Sequence, residues 1–81
     1  MKPDELARAL SLAEGGDWKG AHEIVQRDED DPLSCWIHAV LHHQEGDLMN
    51  ARYWYARCGR RLRKALAPEA ELQEIRASLR D

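Results

Sequence analysis

The chain has 81 residues, 43% of them apolar and 33% charged, with a formal net charge of −3. A chain this short makes one small domain that buries about 60–65% of the surface exposed by its unfolded form, and no apolar run approaches the ~18 residues of a membrane span. Met1-Lys2-Pro3-Asp4-Glu5 has no apolar stretch behind it to act as a secretory signal, so the expected location is cytoplasmic, with no membrane among the expected partners.

Pro3, Asp4 and Glu5 suit a first helical turn, and Leu6, Ala9, Leu10 and Ala13 recur at helical spacing until Gly15-Gly16, which predicts a helix over 3–15. Asp17 is a good N-cap for a second helix over 17–28, whose apolar stripe is Trp18, Ala21, Ile24 and Val25. The third, over 32–45, starts at Pro32 and is apolar on most sides through Leu33, Cys35, Trp36, Ile37, Ala39, Val40 and Leu41, as expected of a helix packed on two faces. Asp47 caps a fourth, over 47–58, with Leu48, Ala51, Trp54, Tyr55 and Cys58 spaced for burial and Gly59 marking a left-handed end. Residues 60–67 carry no clear pattern. Pro68-Glu69 opens a last helix over 68–80 with a narrow stripe of Leu72, Ile75 and Leu79, the pattern of an end cap with one wet face.

Gly16-Asp17-Trp18-Lys19-Gly20-Ala21 is echoed thirty positions later by Gly46-Asp47-Leu48-Met49-Asn50-Ala51. A turn repeated at such a spacing between helical stretches predicts stacked helical hairpins. The expected fold is therefore all-α, two antiparallel hairpins plus a C-terminal capping helix in a single domain over 1–81.

Charge is sorted along the chain. Acids dominate residues 1–31 and end in Asp28-Glu29-Asp30-Asp31, whereas Arg52, Arg57, Arg60, Arg61, Arg63 and Lys64 run without an interposed acid. Such asymmetry arises from solvated faces and helix-end charges, or from an anionic partner or head-to-tail self-contact. The mixture of Tyr53, Trp54 and Tyr55 with arginines has the chemistry of nucleic-acid binding. Three consecutive helical residues point in three directions, however, and the overall balance is not basic, so nucleic acid is not the expected partner.

His38 and His42 lie one turn apart, with Cys35 before and Glu45 after. Two readings stay open. The first is a polar seam in which His38 and His42 bond to Asn50 and to Tyr55 or Tyr53 on the fourth helix; the second is a transition-metal site of Cys35, His38, His42 and Cys58. His22 and His43 are expected to be exposed. The two cysteines have no Cys-x-x-Cys spacing and read first as small buried apolar groups. No phosphate loop and no Ser-His-Asp spacing is present, so no catalytic residue and no cofactor are expected.

Glu45-Gly46-Asp47-Leu48-Met49-Asn50-Ala51 resembles the inter-helix turn of a tetratricopeptide repeat, and Gly16-Asp17-Trp18 with Ala21 and a closing Asp31-Pro32 resembles it more fully. Ala39 fits the small position of the family's first helix. His38 and His42 depart from the pattern, standing where a large apolar residue and an aromatic are usual, and the second unit lacks a closing proline. Over about residues 17–60 the chain is similar to a group of short bacterial tetratricopeptide-like proteins with no activity attached to them.

The resemblance implies an interaction module for a protein or peptide. Its groove between first helices would receive Trp36, Val40 and His43, and Tyr53, Arg57 and Arg60 on the fourth helix would form a second, anion-preferring surface. A homodimer is the structural alternative, two units being few for a stable stack.

Overall fold

Five α-helices account for the regular structure of residues 1–80, which are those the computed structural model describes: α1 (Pro3–Glu14), α2 (Trp18–Val25), α3 (Pro32–Gln44), α4 (Leu48–Arg57) and α5 (Pro68–Arg80). No strand occurs among the described residues, and no described helix is long and apolar enough to cross a membrane.

The duplicated motif folds into the same turn twice. Gly16 and Gly46 take φ of 88° and 83°, a left-handed conformation that a Cβ would disfavour. Each sits inside a pair of backbone bonds that closes the preceding helix: Asp17 N–H donates to Leu12 O at 2.8 Å and Gly16 N–H to Ala13 O at 3.3 Å; Asp47 N–H donates to His42 O at 3.0 Å and Gly46 N–H to His43 O at 3.1 Å. The aspartate that ends one helix also caps the next. The Asp17 carboxylate accepts from Gly20 N–H and the Asp47 carboxylate from Asn50 N–H, with nearly identical backbone angles at the two caps. A Gly-Asp pair thus stops a helix, reverses the chain and restarts it. Gly59 repeats the stop at the end of α4, where Arg60 N–H donates to Tyr55 O.

The second helix is shorter than its sequence pattern. It ends at Val25 rather than at 28 because Arg27 N–H donates to Ile24 O, a tightened i to i+3 bond, and the Val25 carbonyl is taken by the Ser34 hydroxyl of α3. The acidic run that follows has local work: Asp31 caps α3 through Ser34 N–H, and Asp30 pairs with Arg57 at 3.0 Å. Residues 60–67 form an irregular connection with one turn closed by Leu66 N–H on Arg63 O.

Helix α3 is the hub. It packs on α4 most extensively and also against α1, α2 and α5, so residues Ser34 to His42 are all buried. Ala21 and Ala51, just inside the two repeated turns, are fully buried, as are Ala9 and Ala39, and small side chains at these positions let helix backbones approach closely. Helix α5 lies across α3 and α1, contributing Leu72 and Ile75 to the core. It is tied to α1 by Arg76, whose guanidinium holds both oxygens of Glu14 at 2.7 and 3.2 Å.

This placement of α5 corrects the expected open groove. Trp36 is 4% exposed and Val40 is fully buried, both within the single core that Leu72 and Ile75 complete. A helix bearing an apolar stripe must bury it against another element, and α3 supplies the largest apolar surface within reach.

Candidate functional site

Two constellations outside the ordinary core concentrate chemistry. The first is a group of three imidazoles between α2 and α3. His22, His38 and His42 each bring one ring nitrogen to within 4.8 Å of the others, with ring centroids 4.7 Å apart for His22–His38, 5.2 Å for His22–His42 and 5.0 Å for His38–His42. Two indoles enclose them. Trp18 stacks on His22 at 4.5 Å and Trp54 on His38 at 3.8 Å, while Trp18 is itself held by its Nε1–H donating to Leu41 O at 2.6 Å.

His42 is oriented by two neighbours. Its Nδ1 lies 2.6 Å from Glu45 Oε2, which requires a donor there, and its Nε2 lies 3.4 Å from the Asn50 side-chain nitrogen. Nδ1 is therefore the donor to the carboxylate, and Nε2 faces the Asn50 amide. His22 Nε2 and His38 Nδ1 are both buried and without a hydrogen-bond partner. Burial, reinforced by the neighbouring imidazoles, lowers the His38 pKa to about 3, and burial followed by proximity to His42 lowers that of His22. These rings are neutral and present free nitrogen atoms.

The expected polar seam forms only in part. His42 does meet Asn50, but the Tyr55 hydroxyl turns away and donates to Glu71 Oε1 at 2.7 Å, and the Tyr53 hydroxyl accepts from Arg57 at the surface. His38 faces the Trp54 ring where the seam would have placed a hydroxyl. The Cys/His quartet does not gather either. Among the described residues, the groups with three converging ligand atoms are His22/His38/His42 and His42/Glu45/Asp47, neither of which includes a cysteine. Cys35 instead donates to Trp54 O and Cys58 to Tyr55 O, each at 3.4 Å. Burial, with Cys58 nearby, pushes the Cys35 thiol up to about 12, and burial also raises Cys58.

His22 is the residue that sequence reading missed. It was expected in solvent but is half-buried against Trp18, His38 and His42. Its signal was its position one turn after Trp18, at the edge of the α2 apolar stripe, where a flat ring can stack on the indole. His43 is half-buried too, with its Nδ1 unpartnered, but it stands outside the imidazole group.

The second constellation is on the outer side of α4. Met49 and Tyr53 are 83% and 56% exposed, and they share a helix face with Arg52 and Ala56 at i, i+3, i+4 and i+7. Beside that face Arg52, Tyr55, Ala56, Arg60, Arg61 and Leu62 line a shallow cavity of about 290 Å³. Among the described residues Arg52, Arg60 and Arg61 form no ion pair, whereas Arg57, Arg63 and Arg76 each have a carboxylate partner. The Arg60 guanidinium carbon lies 3.3 Å from the centroid of the Trp36 ring, a cation–π contact. Arg57, expected to help form the anion-preferring surface, is already engaged by Asp30, Tyr53 and the face of Trp54.

A larger concavity of about 490 Å³ between α1 and α2 is lined by Glu5, Asp17 and Glu23 together with Arg8 and Arg27, so it offers no single sign of charge. No protein-family model, no curated protein and no solved structure matches this chain.

Proposed function

We propose that this chain is a small interaction module of tetratricopeptide-like build, in which α1 with α2 and α3 with α4 form two antiparallel hairpins and α5 caps them, and that it binds an acidic segment of a protein partner on the outer side of α4. The repeated glycine-aspartate turn, with matched φ and matched caps, supports the two-unit reading. The concave face that such a module would offer between its first helices is covered by α5, which moves the expected binding surface from Trp36 and Val40 to α4.

One observation carries the choice of partner: three arginines without ion-pair partners surround an apolar floor of Ala56 and Leu62, flanked by exposed Met49 and Tyr53. Arginine forks suit paired recognition of carboxylates, and aromatic and methionine side chains supply apolar contact area. Each exposed ion pair contributes about 0.2–1 kcal/mol, so reversing two of them should weaken binding by about tenfold.

The test is fluorescence anisotropy with a labelled peptide rich in Asp, Glu and aromatic residues, alongside a basic peptide of equal length and a single-stranded oligonucleotide of equal charge. Saturable binding of the acidic peptide, weakened by about tenfold in the Arg52→Glu, Arg61→Glu double variant, supports the reading. Failure of the acidic peptide to bind, or tighter binding of the oligonucleotide, overturns it.

A further inference from the structure

We infer that His22, His38 and His42 form a binding site for a zinc-class divalent transition metal, a site that is independent of the surface on α4. Three imidazoles with converging nitrogens are the donor set of a four-coordinate zinc with three protein ligands and one open position. Hard cations such as calcium and magnesium prefer oxygen ligands and are not expected to compete.

The geometry is close to that of a loaded site. A tetrahedral ion with bonds of ~2.0–2.1 Å holds its ligand nitrogens roughly 3.3 Å apart, and those of the three rings already lie within 4.8 Å of one another. Closing the remainder takes small side-chain rotations. Two nitrogens of these rings, His22 Nε2 and His38 Nδ1, are buried with no partner, although buried polar atoms are ordinarily satisfied. A metal ion would satisfy both at once.

The surroundings of His42 point the same way. Glu45 Oε2 accepts from Nδ1 at 2.6 Å, which leaves Nε2, otherwise 3.4 Å from the Asn50 amide nitrogen, as the atom an ion would use. A carboxylate behind a histidine is the usual support of a metal-ligating imidazole, since it fixes the ring and raises its basicity. The flanking Trp18 and Trp54 rings limit alternative ring orientations.

The experiment is titration of the chelator-treated chain with Zn²⁺ by calorimetry, and with Co²⁺ by visible absorption. The expected result is uptake of one ion per chain, with a four-coordinate Co²⁺ ligand-field spectrum lacking a thiolate charge-transfer band. His22→Gln removes a half-exposed ligand with little risk to folding and should weaken uptake by more than tenfold, while Glu45→Gln should weaken it by about tenfold. Cys58→Ser should leave uptake unchanged. Absence of saturable uptake overturns the assignment, as does uptake undiminished in His22→Gln, which would place the ion on the His42, Glu45 and Asp47 group. A thiolate band, or uptake lost in Cys58→Ser, also overturns it in favour of cysteine ligands.

Discussion

Trp36 on α3 donates its indole N–H to Glu71 Oε2 on α5 at 2.7 Å, deep inside the protein, where the carboxylate is 1% exposed. The other oxygen accepts from Tyr55 of α4, and Arg63 stands 3.6 Å away. One side chain thus joins three helices and satisfies the polar ends of the two aromatics that frame it. The Tyr55 phenol is driven well above its ordinary pKa by burial and by this bond, so it remains a donor.

Replacing Glu71 with alanine should therefore strand an indole N–H and a phenol at once. An unsatisfied buried group costs about 1–3 kcal/mol, and the two losses share a partner and will not simply add. Glu71→Ala is expected to lower unfolding stability by about 2–4 kcal/mol in urea titration, with Glu71→Gln intermediate because its amide oxygen serves only one donor.

The depressed pKa of His38 makes stability depend on pH. Its folded value is about 3 against an ordinary 6.5, so between these limits the unfolded chain binds a proton that the folded chain refuses, and stability falls as the solution is acidified. The slope reaches at most about 1.4 kcal/mol per pH unit for this group, and His22 acts in the same direction. Metal-free protein melted between pH 7.5 and about 5.5, above the range of most carboxylates, should lose stability in that sense. His38→Phe, which keeps a ring against Trp54, should flatten the curve.

The two turn glycines provide a matched pair of predictions. A Cβ at Gly16 or Gly46 would meet nothing within 4 Å, so the penalty of alanine there comes from the left-handed backbone alone, about 1–2 kcal/mol. Gly16→Ala and Gly46→Ala should lower Tm by similar amounts, roughly 4–8 °C per kcal/mol for a domain of this size. Unequal shifts measured by circular dichroism would show that the two turns are not energetically equivalent.

The thiols should differ in reactivity. Cys35 is 2% exposed with its pKa pushed up to about 12, while Cys58 is only half-buried. Because the thiolate is the reactive form, iodoacetamide at about pH 8 should label Cys58 slowly and leave Cys35 untouched until the chain unfolds. Peptide mass mapping of partly alkylated protein reads the order directly.

What could be read from the linear order of residues was whatever depends on neighbours in the chain. Apolar periodicity, Pro at a first turn and the Gly-Asp punctuation are local, and they located the five helices to within a few residues. The one sizeable error, the C-terminal end of α2, arose because Ser34 on another helix claims the Val25 carbonyl. Contacts between distant segments were decided in three dimensions. That α5 would cover Trp36 and Val40, that Glu71 would be buried between Trp36 and Tyr55, and that His22 would join His38 and His42 all depend on how helices rotate about their axes as they pack. A helical period tells which residues share a face, but the partner of that face is chosen by the total apolar area and the hydrogen bonds available across the whole fold.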